Sequence, residues 1–498
     1  MSSRAPTIPA EPARHRVIET HVSLITFEGD TVRKRKKAVR LPFIDLTTPE
    51  SRLIACRQEV VLNRRLAPDV YLGVDEIREP DGRLTDAAVV MRRLPSERQL
   101  STLMAAGADV ATELTRTAHV LAAFHSKASR SPEIDRVATV DGLAARWEAD
   151  LDEWDPLIQR VLGMPARDRE RTLVRRYLEA RAGLLERRIA SGHIVDGHGD
   201  LRADSIFCLA DRPRLIDCLE FDANLRFGDE LADVAFLAMD LEGMARSDLA
   251  RHFVRAYTRF AGWTAPPGLL HFYMAQRALV RSKVACWRVV QGDATAASRA
   301  RRHLEQCGRH LEAARPLVIA IGGAPRTGKT TIARGLADEI DGVHLRSDEI
   351  RRDVTPASHQ RRADRDPLDR GMYAPALTAL TYRMLAARTR IVLHAGYSVV
   401  LDATFAEVSS RRAVSRVARA CRADFVAIEC RAPLSVIQER ARGTPRLDDL
   451  SEATPEVAAA LQARRTPWPA AHTIDTTPLE ATLVAQCMSI VRETPHNT

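Results

Sequence analysis

Lysine is almost missing from this chain of 498 residues. Of its 74 basic residues only Lys34, Lys36, Lys37, Lys127, Lys283 and Lys329 are lysines. A chain that writes nearly every cation as Arg marks its retained ammonium groups for inspection, because a compact point charge is not a planar guanidinium. Three of them sit at 34–37, and one stands in a glycine-rich loop at 329. Aromatic residues are also scarce, at 5%. No aromatic platform is interleaved with the basic residues, which argues against nucleic acid as the partner. The eight cysteines form no CxxC, and no His spacing suggests a zinc site. They read as reduced thiols of a cytoplasmic protein. No run of 18 apolar residues occurs, so no membrane span is expected. Residues 1–15 lack the apolar stretch of a signal peptide and read as a flexible tail.

What is present fits a folded chain. It is 45% hydrophobic and 28% charged, with a net charge of +9. That excess is small for the length and compatible with anionic ligands such as nucleotides. Short β-like stretches run from 17 to 41, with a hairpin turn at Gly29-Asp30. A helix is expected over 49–66, after Thr48-Pro49. Further strands are expected at Val70–Ile77 and Ala87–Met91. Residues 98–190 read as helical, 194–221 as short strands around polar clusters, and 229–313 as helical again. At Arg315-Pro316 the character changes. Leu317–Ile321 is a continuous apolar run, as in a strand buried on both faces. Helices at 329–339, 373–395, 408–421 and 433–442 then alternate with strands at 342–346, 398–402, 424–430 and 472–475. That alternation predicts an α/β parallel sheet.

Gly323-Ala324-Pro325-Arg326-Thr327-Gly328-Lys329-Thr330 fits GxxxxGK[ST] between a buried strand and a helix, the context the motif requires. Backbone N–H groups of Gly323, Arg326, Thr327, Gly328, Lys329, Thr330 and Thr331 would cradle phosphates at a helix N-terminus. Lys329 would bridge the β- and γ-phosphates of ATP, and Thr330 would ligate Mg²⁺. Asp402 ends an apolar strand at the carboxyl edge of the sheet, where it could hold Mg²⁺ through water, or cap the next segment. Asp348 is placed to accept a proton from an acceptor hydroxyl, although Ser347 or Asp348 could equally cap a helix. Arg440, Arg442 and Arg446 precede Asp449-Leu450-Ser451. Arg442 and Arg446 are assigned to the charge of the transferring phosphoryl group, against a solvated basic face.

This half, about 316–477, resembles small P-loop kinases of the AAA/zeta-toxin-like kind, related in pattern to gluconate, chloramphenicol and polynucleotide kinases. GGAPRTGKTT, RSDEIRR, SVVLDATF, the Arg-rich segment and IDTT carry the resemblance. It implies Asp348 as base, with Lys329, Thr330 and Asp402 on Mg²⁺ and phosphate.

A second constellation is His198-Gly199-Asp200-Leu201-Arg202-Ala203-Asp204-Ser205, followed by Leu215-Ile216-Asp217-Cys218-Leu219-Glu220-Phe221. Two short strands each deliver a carboxylate into one crevice. Asp200 would be the proton acceptor and Asp217 the Mg²⁺ ligand. With KRKKAV, MRRLP and DVAFLAMDLE, residues 17–310 look like the aminoglycoside-phosphotransferase superfamily, which has a protein-kinase-like fold. The resemblance implies a third-strand lysine on the nucleotide phosphates, paired with a helix glutamate. The lysine is Lys34 or Lys36, which share a strand face, and the glutamate is Glu59. Basic residues at 34–37 could instead form an exposed edge. The family's Asn, a ligand of a second Mg²⁺, is Ser205 here, and its His is Arg202.

The order of the two parts resembles a family described as bifunctional aminoglycoside phosphotransferase/ATP-binding protein. It implies an α+β protein-kinase-like domain over 16–313 (small lobe about 16–95, large lobe about 96–313). An α/β P-loop kinase domain would follow over 314–498. The expected activity is transfer of the ATP γ-phosphate to a hydroxyl of a small molecule, chiefly by the P-loop domain. The alternatives are a degenerate, regulatory first domain and a polynucleotide 5′-kinase.

Overall fold

The computed structural model describes residues 16–20, 22–41, 44–165, 167–355, 374–442, 465–478 and 480–494. Contacts group them into two compact units. The first joins the described residues up to Gly142 with Arg188–Ala265. The second joins Leu143–Arg187 with the described residues from Pro266 onward. None of the helices among the described residues is long and apolar enough to cross a membrane.

The first unit opens on an antiparallel sheet of β1 (Arg16–Glu19), β2 (Ser23–Glu28), β3 (Thr31–Lys36), β4 (Tyr71–Arg78) and β5 (Leu84–Arg92). Their order is β1-β2-β3-β5-β4. The hairpin between β2 and β3 turns at Gly29-Asp30, where Gly29 takes a φ of 60° that side chains disfavour. The helix Pro49–Asn63 begins because Thr48 Oγ1 accepts the Ser51 N–H at 3.1 Å and Pro49 fits the first turn. Its Leu53, Cys56 and Val60 pack with Tyr71, Val89 and Met91. Its polar Glu59 and Asn63 are buried as well. Buried polar groups need partners, and these two find theirs in the site described below.

The rest of this unit supplies two short ladders. β6 (Ile194–Asp196) pairs with β9 (Phe227–Asp229), and β7 (Ile206–Cys208) pairs with β8 (Pro213–Leu215). The helices Ala111–Lys127, Glu230–Gly243 and Ser247–Ala261 accompany them. The unit thus combines an antiparallel sheet with helices, the expected α+β arrangement. One detail differs. Residues 215–221 read as a strand in the sequence, but the ladder stops at Leu215, because Asp217 adopts a φ of 60° that no strand tolerates.

The second unit is built on a parallel sheet. Its strands are β10 (Leu317–Gly323), β11 (Val343–Arg346), β12 (Val399–Asp402), β13 (Asp424–Arg431) and β14 (His472–Asp475). They lie in the order β11-β12-β10-β13-β14. Every residue of β10 is buried, which is why that stretch is continuously apolar. Ile319 and Ile321 pack with Ile332 and Leu336 of the helix Lys329–Glu339. Val318 and Ala320 face Leu385 of the helix Pro375–His394 and Val414 of Val408–Ala420. Burying each large aliphatic side chain contributes about 1.5–3 kcal/mol, so β10 is fixed from both sides. The chain leaves β10 toward β11 and β12 on one side and reaches β13 on the other. This creates a crevice at the carboxyl end of β10, the usual place for a ligand in such sheets.

The helix Asp168–Ala190 adds ionic support to this unit. Arg176 donates to Asp424 Oδ1 at 2.6 Å, while Arg315 holds Oδ2 at 2.8 Å. Arg181 donates to the Leu393 carbonyl at the end of Pro375–His394.

Candidate active sites

In the second unit, Gly323 and Gly328 take φ values of 147° and 83°. A Cβ on Gly323 would lie 2.6 Å from the Cys430 carbonyl oxygen and 2.7 Å from Thr327 Oγ1, so only glycine fits there. Arg326, between them, is left-handed too, at 65°. Gly328 is the N-cap of Lys329–Glu339 and supplies no side-chain cap, so the helix end opens toward a ligand. Lys329 Nζ donates to the Ala324 carbonyl at 2.8 Å, folded over its own loop. Thr331 lies in the same first turn and is partly exposed.

The Thr330 hydroxyl donates to Asp402 Oδ2 at 2.6 Å. Asp402 is buried at the end of β12, with His344 Nε2 at 3.6 Å and Arg346 Nε at 3.8 Å. It faces the loop and caps no helix. Burial raises its pKa, but His344, Lys329 and Thr330 outweigh that and hold it below the usual carboxylate value. Asp348 behaves in the opposite way. Burial and the Asp402 charge push its carboxyl up, against Lys329, Arg351 and Arg346. Asp348 sits in the first turn of Ser347–Val354, whose N-cap is Arg346 with no side-chain cap bond. Neither Ser347 nor Asp348 therefore does the capping work that sequence allowed them. The two neighbouring carboxyls are thus pushed in opposite directions.

Of the arginines, Arg440 NH2 donates to the Thr476 carbonyl at 2.7 Å, and Thr476 Oγ1 donates to the Thr327 carbonyl at 2.7 Å. This ties the helix Leu434–Arg442 to the phosphate loop. The Arg442 side chain and Arg446 lie outside the described residues. Sequence reasoning missed Tyr382, whose hydroxyl accepts the Phe405 N–H at 3.0 Å and bonds Thr404 Oγ1 at 3.0 Å. It also missed Arg411, which donates to Phe405, Ala406, Thr466 and Pro467 carbonyls and stacks on Trp468. No local motif signals either residue.

In the first unit, both candidate lysines meet the expected glutamate. Glu59 Oε1 lies 2.8 Å from Lys34 Nζ, and Oε2 lies 2.6 Å from Lys36 Nζ. Lys34 continues to Asp217 Oδ1 at 3.0 Å, whereas Lys36 turns inward to Glu220. Burial pulls the Lys34 pKa down, but Asp217, Glu59 and Glu220 outweigh it and hold it well above the usual lysine value. Lys34 in turn holds Asp217 below the usual carboxylate range. These residues are no exposed basic edge. Asp217 keeps its left-handed backbone because its N–H donates to the Tyr71 hydroxyl at 3.2 Å and the Cys218 N–H to Asn63 Oδ1 at 2.9 Å.

Asp200 belongs to the segment 198–205. Its N–H donates to His198 Nδ1 at 3.3 Å, while His198 Nε2 bonds the Ile216 carbonyl at 3.0 Å. The imidazole is therefore neutral, and burial keeps its pKa low. Asp233 accepts the His198 and Gly199 N–H groups at 2.6 and 2.9 Å, anchoring the loop from beneath. Arg202 Nε lies 3.3 Å from both Asp200 oxygens. Ser205 is buried, and its carbonyl accepts the Ile216 N–H at 2.9 Å.

Thr330 with Asp402, and Asp217 in the first unit, are hard oxygen donors of the kind that Mg²⁺ takes. Among the described residues no group of three or more His, Cys, Asp or Glu could hold a metal. An ion at either place would take its further ligands from water or phosphate oxygens.

Residues 318–468 match a family described as an AAA domain. Over 476 residues the chain is 38% identical to the uncharacterized protein Rv2004c of Mycobacterium tuberculosis (strain ATCC 25618 / H37Rv), covering 96% of this chain and 95% of that one. The chain belongs to the Rv2004c family. Among solved structures, a choline/ethanolamine kinase family protein from Mesorhizobium loti aligns at 16% identity and a TM-score of 0.38. The alignment covers 61% of this chain and 94% of that one. A sugar kinase from Janibacter sp. HTCC2649 aligns at 17% identity and a TM-score of 0.30, over 36% of this chain and 96% of the other.

Proposed function

We propose that this Rv2004c-family protein is an ATP-dependent phosphotransferase that moves the γ-phosphate to a hydroxyl of a small molecule, with the second unit as its main catalytic centre. The observation that carries this reading is the Thr330–Asp402 hydrogen bond at the mouth of the phosphate loop, beside a carboxyl, Asp348, whose pKa is pushed up. Loop N–H groups and Lys329 bind the triphosphate. Asp348 takes the proton of the acceptor hydroxyl as its oxygen attacks the γ-phosphorus and the bond to the β-phosphate oxygen breaks, releasing ADP. Thr330 and Asp402 would hold Mg²⁺, which neutralises phosphate charge when bound. Arg442 and Arg446 are assigned to the transferring group. Most of the catalysis in such a site is positioning and charge neutralisation.

The first unit is read as a second, slower magnesium–nucleotide site, with Lys34 on the phosphates and Glu59 pairing it, Asp217 and Ser205 toward Mg²⁺ and Asp200 as base. Arg202 on both Asp200 oxygens favours low turnover there, and with it a regulatory role for this unit. The deciding experiment is an ATPase and phosphotransfer screen against sugars, amino sugars, aminoglycosides, nucleosides and oligonucleotides. It compares the full chain with its Lys329→Ala and Asp200→Asn variants. Turnover that survives Lys329→Ala but is lost with Asp200→Asn would move the main activity to the first unit.

A further inference from the structure

In the first unit five charged side chains alternate in one row: Asp217, Lys34, Glu59, Lys36, Glu220. Both ends of the row belong to the same short segment, Asp217–Glu220. Both cations come from β3, two residues apart on one face. The row is sealed at one end and open at the other. The Lys36 and Glu59 side chains are each 1% exposed and Glu220 10%, whereas Lys34 is 14% and Asp217 47% exposed.

We propose that Lys36 and Glu220 are positioning residues. They form a standing clamp on the segment that carries Asp217, and they leave Lys34 as the exchangeable cation of the site. The inference rests on reading the first unit as a magnesium–nucleotide site.

Two physical arguments support it. A largely buried ion pair that loses one partner leaves a poorly compensated charge, and Lys36 and Glu59 are nearly fully buried, so the inner pair stays closed. The outer pair can open, because water, a metal ion or a phosphate can replace either partner. The second argument is charge sharing. Glu59 gives one oxygen to each lysine. Without Lys36, the Glu59 and Glu220 carboxylates would both draw on Lys34 and pull it inward, away from Asp217. With Lys36 present, Lys34 stays at the mouth, and Glu220 anchors the far end of a segment whose Asp217 holds an unfavourable left-handed backbone. A buried pair of purely structural importance would set stability alone. A clamp on the metal-bearing segment sets metal affinity as well.

The test uses the full chain carrying Lys329→Ala and Thr330→Ala, which disable the other phosphate loop. ATP binding is followed by calorimetry across a Mg²⁺ titration, for this parent and with Glu220→Gln, Lys36→Met or Asp217→Asn added. Glu220→Gln keeps the shape and the Lys36–Glu59 pair, so it remains informative if Lys36→Met fails to fold. Asp217→Asn should abolish the Mg²⁺ dependence. Glu220→Gln should move its midpoint to about tenfold higher Mg²⁺ or more, with ATP affinity in the absence of Mg²⁺ unchanged. A folded Glu220→Gln chain with the parent's midpoint, alongside an Asp217→Asn chain that has lost the dependence, would overturn the proposal and leave the reading of the site intact. A parent that binds no ATP at any Mg²⁺ concentration would overturn that reading, and the proposal with it.

Discussion

The Thr330 hydroxyl and the Asp402 carboxylate meet at 2.6 Å across 72 residues of chain. One opens the helix behind the phosphate loop, and the other ends the strand next to β10. Their contact sets two oxygen donors side by side at the carboxyl end of the sheet. It also separates the two acids of the site: Asp402 stays ionised, while its charge helps to push Asp348 upward.

Lys329→Ala should remove at least about 100-fold of the ATP turnover, equivalent to about 2.7 kcal/mol of transition-state stabilisation. Steady-state kinetics on the full chain measure it. Turnover close to that of the unmodified protein would place the main activity elsewhere.

Asp348→Asn should abolish transfer and yet raise the melting temperature at neutral pH. The sign follows from linkage. The folded-state pKa of Asp348 is raised, so the folded state binds more protons than the unfolded state above the usual aspartate value of about 3.9. Asp348 therefore costs stability as pH rises from the usual aspartate value through its raised folded-state value, and that loss stays in place at neutral pH. The gain from the Asn variant should shrink toward pH 4. An equal or lower melting temperature at pH 7 would contradict it.

Gly323→Ala should unseat the phosphate loop. The added Cβ meets the Cys430 carbonyl at 2.6 Å, which is backbone and cannot step aside. Loss of nucleotide binding with most of the helical signal retained is the expected result, read by calorimetry and circular dichroism.

Acid should weaken the first unit through His198. Its folded-state pKa is depressed by burial, and both ring nitrogens are already committed, one as donor and one as acceptor. The unfolded chain takes up a proton near the usual imidazole value of about 6.5, and the folded one does not, so stability falls as pH drops below that value. His198→Gln should flatten this pH dependence in thermal unfolding between pH 5 and 7.

All eight cysteines are free. Burial raises the thiol pKa of Cys56 and Cys218 to about 12, so both should resist alkylation in the native protein. All eight should titrate after denaturation without reductant. Fewer than eight would contradict the free-thiol structure.

The chain order itself settled the phosphate loop, the parallel α/β sheet behind it and the pair of acidic segments at 198–205 and 215–221. Each depends on neighbours within a few residues. Seven consecutive buried positions in β10 demand an apolar run, a left-handed turn demands glycine, and a helix N-terminus must follow within reach of the phosphates. The fate of the lysines could not be settled that way. Lys34 and Lys36 share a strand face, and only the docking of Pro49–Asn63 and the turn at Asp217 decide that one reaches Asp217 and the other Glu220. Ser347 and Asp348 looked as able to cap a helix as to serve a site. The choice fell to the tertiary structure, which starts the helix after Arg346 and buries Asp348 beside Asp402. Tyr382 and Arg411 carry no motif, because Tyr382 reaches Phe405 and Arg411 reaches Thr466 and Pro467 only once the chain is folded. The grouping of Leu143–Arg187 and Pro266–Ala313 with the phosphate-loop unit has the same origin. Arg176 and Arg315 converge on buried Asp424, and Arg181 ends the helix Pro375–His394. A carboxylate removed from water must find its cations wherever packing brings them, and no local pattern records which residues those will be.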